Sequence, residues 1–104
     1  MQRVGPFIAR HMQKTLYTRQ YQVLLTMLRE ARDASGTFQA DIAKQLEISQ
    51  SVVSKCELGQ RRIDVVELKL WLDVLGVGLI EFLSEFEART ASSLEASSRK
   101  KRRI

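Results

Sequence analysis

Gln50, Ser51, Ser54 and Lys55 are spaced so that a helix would carry them together. An α-helix advances about 100° per residue. In the run QSVVSKCE these polar side chains then share one arc without an apolar interruption, and Val52, Val53 and Cys56 occupy the opposite arc. The second arc can bury; the first is a strip of hydrogen-bonding groups with one cation. A glutamine amide can donate to and accept from an adenine edge at once, and a lysine ammonium can donate to guanine. Ser49 is a natural N-cap, which sets Gln50 and Ser51 in the first helical turn. Residues at the start of a helix laid in a major groove are the ones that reach base edges. Most helices have a solvated polar face, so this chemistry needs the preceding elements to support it.

Those elements are a second short helix and a tight turn. From Gln39, Ile42, Ala43 and Leu46 share one face, Asp41, Lys44 and Gln45 share the other, and the turn falls at Glu47–Ser49. Ala43 is small where two crossed helices must approach closely. Gln39 stands at a helix N-terminus, where an amide beside free backbone donors suits a phosphate. The alternative is that it caps the helix or bridges to the next one. Phe38 has no side-chain acceptor, which leaves Thr37 or water to serve the first amides. After the polar helix, Gly59, Gln60, Arg61 and Arg62 form an exit loop. Its two arginines can clamp phosphates, or else be solvated or pair with Asp64 and Glu67.

Gln39, Ile42, Ala43, Leu46, Ile48, Val53, Cys56, Glu57 and Gly59 together resemble the pattern of the Cro and lambda-repressor-like (XRE) helix-turn-helix family. The segment QSVVSKCELGQRRID is similar to a frequent variant of it, and the likeness extends over roughly residues 20 to 88. Two positions depart from it: Glu47 where the family often has glycine, and Phe38 where it often has a serine or threonine cap. The resemblance implies an all-α, five-helix lambda-repressor-like fold whose second and third helices form the helix-turn-helix. It implies a sequence-specific DNA-binding transcriptional regulator, a repressor, that reads the major groove as a homodimer. Two recognition helices about 34 Å apart would then meet a roughly palindromic site. Gln39, Arg61 and Arg62 are the expected phosphate contacts. Ser49, Gln50, Ser51, Ser54 and Lys55 are the expected recognition-helix contacts, and Ala43, Glu57 and Gly59 are structural. By the same resemblance, Glu57 braces the loop after the third helix through backbone amides. Two other functions stay open: an antitoxin that binds both DNA and a toxin protein, and a protein-interaction adapter that has kept the fold but not operator binding.

Three further helices complete the expected frame. Thr18 can cap a first helix with Tyr21, Leu24, Leu25, Leu28 and Ala31 on its apolar stripe and Arg29, Glu30, Arg32 and Asp33 off it; Gly36 closes it. Asp64 and Glu67 resemble a capping box for a fourth helix with Leu68, Trp71, Leu72 and Leu75 inward, ended by Gly76. Gly78 opens a fifth, on which Leu79, Ile80, Phe82, Leu83 and Phe86 spread over more than one face. That excess points to a dimer surface, unless the first helix or the N-terminal extension covers it.

The totals bound the rest. With 104 residues, 44% of them hydrophobic, the chain has room for one small globular domain. A single cysteine, Cys56, and a single histidine, His11, exclude an internal disulfide and a multi-cysteine zinc site, and leave no Cys/His pair for nucleophilic catalysis. An enzyme and a cofactor are therefore not expected, and the composition suits a reducing cytoplasm, in a bacterial or phage-encoded protein. No apolar run approaches the ~18 residues of a membrane span. The net charge of +5 is misleading as a guide to the domain. Five of the 17 Lys and Arg residues lie in Arg99, Lys100, Lys101, Arg102 and Arg103, and the others match the 12 acidic residues. The expected organisation is an N-terminal extension over 1–17, a DNA-binding domain over 18–88, and a disordered basic tail over 89–104.

Overall fold

The apolar stripe that begins at Tyr21 folds as α1 (Thr18–Ser35), and the two short helices follow as α2 (Gln39–Leu46) and α3 (Gln50–Glu57). The capping-box segment opens α4 (Val65–Leu75), and the last apolar stretch opens α5 (Leu79–Arg102). These elements belong to a computed structural model that describes the backbone of residues 18–102 and the side chains of residues 18–91. The expectations for 1–17, and for the side chains of Arg99 to Arg103, lie outside those residues. Every regular element among the described residues is helical, as an all-α, five-helix lambda-repressor-like fold requires.

The core forms where the short helices meet α1 and α4. Leu28 from α1, Ile42 from α2, Val53 from α3, and Trp71 and Leu72 from α4 are fully buried together, and Leu25 of α1 is fully buried as well. Ala43 is buried in the same cluster, at the α2–α3 approach that its small side chain permits. Trp71 is a core residue, although its indole N–H has no partner among the described residues. α4 is capped as its sequence suggests. The Glu67 N–H donates to Asp64 Oδ1 at 2.8 Å, and the Asp64 N–H donates back to Glu67 Oε1 at 3.0 Å.

α5 lies against α1. Phe82 is buried beside Met27, with Leu83 and Phe86 half-buried against the same core. Arg89 ties the two helices by reaching Glu30 at 3.0 Å and Glu85 at 2.7 Å. Covering by the first helix therefore accounts for most of the apolar excess on α5. Ile80 is its one large apolar side chain left in water among the described residues, at 73% exposure. The backbone of α5 continues past Thr90 to Arg102.

The turn between α2 and α3 is made by Glu47 with φ 58° and ψ 44°. It is the only non-glycine residue with positive φ among those described. The conformation lets the N–H of Glu47 reach Lys44 O at 3.3 Å and that of Ile48 reach Ala43 O at 3.0 Å, closing the end of α2. An L-residue there carries roughly 1–2 kcal/mol of steric cost, partly offset because glycine loses about 0.5–1 kcal/mol more backbone entropy on folding. Glu47→Gly should therefore stabilise the domain by about 0.5–1 kcal/mol, read as a rise in thermal midpoint at about 4–8 °C per kcal/mol. A lowered midpoint would show that the glutamate side chain contributes something the backbone argument omits.

Candidate nucleic-acid interface

α3 starts at Ser49, whose backbone is extended and whose Oγ accepts from the Val52 N–H at 3.2 Å. Val53 and Cys56 are buried and Val52 half-buried, which anchors the inner arc. The outer arc then points to solvent: Gln50, Ser51 and Lys55 are exposed, and Ser54 is half-buried at its edge. The helix ends in a loop that folds back on it. Gln60 N–H donates to Lys55 O at 2.8 Å, and Gly59 N–H to Cys56 O at 3.1 Å. Gly59 has φ 81°, and a Cβ there would meet Leu25 Cδ1 at 3.1 Å. The left-handed backbone calls for glycine, and the closeness of Leu25 leaves little room for a side chain.

Glu57 is the centre that fixes these helices to one another. It is only 3% exposed, and its carboxylate accepts from Arg32 Nε at 2.6 Å and Arg32 Nη2 at 3.0 Å. The forked geometry makes this a bidentate, charge-assisted pair, which also raises the Arg32 pKa above its ordinary value. Gln39 Nε2 donates to the same carboxylate at 2.9 Å, and Arg29 Nη1 donates to the Glu57 backbone oxygen at 3.0 Å. One buried residue at the end of α3 therefore gathers α1 and the start of α2. The expected bracing of the exit loop by Glu57 through backbone amides is replaced by side-chain bonds. The reason is burial: a carboxylate that faces the core needs a cation, and α1 supplies one. Arg32 lies off the apolar stripe of α1 and carries no motif. The signal that could have found the pair is on α3, where Val53 and Glu57 are one turn apart and must share the buried face.

The start of α2 is served differently from expectation. Thr37 does not cap it; its hydroxyl meets Ser35 Oγ at 2.8 Å. Instead the Phe38 N–H donates to Asp41 Oδ2 at 2.8 Å, while the Phe38 ring stands 72% exposed. The backbone N–H groups of Gln39 and Ala40 have no acceptor among the described residues, so the positive end of α2 opens to solvent beside the Gln39 amide.

The two exit-loop arginines part company. Arg61 turns back on α4: Nη2 pairs with Glu67 Oε2 at 2.9 Å, and Nη1 approaches Cys56 Sγ at 3.4 Å. Of the two arginines, Arg61 thus takes the Glu67 pairing that the sequence left open. Arg62 holds its guanidinium carbon 4.9 Å from the centre of the Tyr21 ring. That ring is itself fixed, since Tyr21 Oη accepts from the Ile63 N–H at 3.1 Å. The Arg61 hydrogen bond, aided by the Asp64 N–H, holds the Glu67 carboxyl below its ordinary 4.5. A carboxyl with a depressed folded pKa adds stability that is present above the unfolded value and lost as pH falls through the folded one. Glu67→Gln should accordingly flatten the decline of stability below about pH 4.5, measured as urea midpoint against pH. An unchanged acid limb would contradict the pairing.

The geometry is that of a helix-turn-helix unit, with a buried arc on each short helix, a left-handed turn between them, and a polar arc facing out. The helix-turn-helix family model matches residues 28–82, just over half of the chain. A solved structure, an XRE-family like protein from Pseudomonas syringae pv. tomato str. DC3000, is 41% identical. It superposes with a TM-score of 0.71, over 75% of this chain and 95% of that one. The chain belongs to the XRE-like helix-turn-helix family, whose members are DNA-binding regulators. No protein of curated function is similar to it. Among the described residues no helix is long and apolar enough to cross a membrane.

Proposed function

We propose that this protein is a sequence-specific transcriptional repressor that binds operator DNA as a homodimer and lays α3 in the major groove. The observation that carries the reading is the exposed arc of Gln50, Ser51 and Lys55, held on a helix whose other side is locked into the core. Gln50 and Ser51 sit in the first turn, where base edges come within reach, and Lys55 follows one turn later. Ser54 flanks the strip. Ser49 spends its oxygen lone pair on the cap and keeps its O–H to donate to a phosphate.

Phosphate contact falls to the start of α2 and the exit loop. The Gln39 amide gives one N–H to Glu57, which orients it and leaves a second N–H for an anion. The open Gln39 and Ala40 backbone amides add donors beside it. Arg62 and Arg61 supply the cations, Arg61 by exchanging Glu67 for a phosphate. Repression follows from occupying the site and blocking polymerase.

Site selection from random duplexes with the full chain, followed by footprinting, tests this. One enriched, roughly palindromic sequence is expected. Uniform binding across sequences, abolished by removing residues 99–104, would mean that the tail and not α3 provides the contact.

A further inference from the structure

We propose that the outer face of α4 is where a second copy of this chain docks about a twofold axis, a placement that rests on the dimeric reading above. α4 buries Leu68, Trp71, Leu72 and Leu75 on its inner side. Its outer side leaves Val65 61%, Val66 65% and Leu70 48% exposed, with Val66 and Leu70 one turn apart. Across a groove of about 110 Å³ from Leu70 stands Ile48, the turn residue, itself 37% exposed. Among its described side chains α5 offers no comparable face, because α1 has taken the apolar stripe and Ile80 remains alone. Large apolar residues gathered in water on one helix mark a contact surface.

Charge identifies the occupant. Lys69 and Asp73 lie on α4 beside Leu70, paired at 3.0 Å and both more than half exposed. The two charges cancel, so the face attracts neither a polyanion nor an acidic peptide. In a twofold contact, residue i of one copy meets residue j of the other and j meets i. Two antiparallel α4 helices crossing near Leu70 set each Lys69 against the other copy's Asp73, while Val66 and Leu70 close over one another. The need for a second copy comes from α3. Its eight residues make a helix only about 12 Å long, which spans about 3–4 base pairs at 3.4 Å per pair. A repeated half-site doubles what is read.

Sedimentation equilibrium of the full chain without DNA tests the surface directly. The wild type should self-associate, and Val66→Asp should weaken association about tenfold or more by placing an unpaired charge in the contact. Ile80→Asp should leave it unchanged. Lys69→Asp and Asp73→Lys should each weaken association, and the two together should restore it. Circular dichroism checks that each variant is folded, and the charge-reversal pair remains informative if Val66→Asp is not. A monomeric wild type, loss of association in Ile80→Asp but not in Val66→Asp, or no rescue in the double reversal would overturn the proposal. DNA binding separates this from the functional reading. Val66→Asp should keep half-site affinity and lose the gain on a full palindrome, whereas failure of the wild type to select any sequence would sink operator reading and leave the association result standing.

Discussion

Replacing Arg32 with methionine should cost about 3–5 kcal/mol of folding stability, although residue 32 lies on none of the surfaces assigned to DNA. The variant keeps an unbranched apolar stem and removes the charge. Glu57, 3% exposed, is then left with one side-chain hydrogen bond, from Gln39, in place of three. An unpaired carboxylate at that depth has lost its water without compensation, and truncating one partner of a buried pair is costly for that reason. Against a total stability of about 5–15 kcal/mol for a domain of this kind, the loss takes a large share. Urea unfolding of Arg32→Met, Glu57→Leu and the double variant forms the check. Each single change should be severe, and the double should cost well under their sum, because the second substitution removes a charge that the first had stranded. A loss below about 1 kcal/mol in Arg32→Met would place the pair among surface bridges and remove it as the tie between α1, α2 and α3. DNA binding by the destabilised variant, measured where it is still folded, should also fall for every sequence alike, since the Glu57 carboxylate that orients Gln39 is no longer held by a cation.

The double variant Gln50→Ala/Lys55→Ala should have the opposite profile. Both side chains are exposed and neither makes a hydrogen bond within the described chain, so stability should stay within about 0.5 kcal/mol of the parent. Selectivity should collapse. Each good bidentate base contact is worth about 1–3 kcal/mol, so losing two lowers the preference for the selected site over random duplex by about 30-fold to over 10⁴-fold. Affinity for random duplex falls only by what one lysine gives to phosphates. Competition binding at fixed salt measures the ratio. A preserved ratio with a preserved fold would mean that α3 does not read sequence, and the adapter function would return.

The contrast between these variants follows from how far apart the interacting residues lie in the chain. The polar arc on α3, the apolar faces of α2 and α4, the Asp64–Glu67 box and the ends at Gly36 and Gly76 all rest on residues within one or two turns of each other. Helical period and cap chemistry act over that range, so they are visible in the order of residues. Phe38 and Glu47 were visible as departures for the same reason. What resolved them was local as well: Asp41 serves the Phe38 amide, and Glu47 accepts a left-handed backbone.

The amino-acid sequence by itself thus determined five helices, the helix-turn-helix within them, and which arc of α3 meets water. Only the tertiary structure decided the rest. Glu57 took Arg32, twenty-five positions away, as its partner. Gln39 became an oriented amide, Arg61 was drawn onto α4 while Arg62 settled over Tyr21, and α1 covered the first turns of α5 while the valines of α4 stayed exposed. A buried charge must find a counter-charge and an apolar stripe must find a cover, but their spacing does not say where. Which side chain answers depends on how helices cross in space, and that is fixed only when the whole core packs.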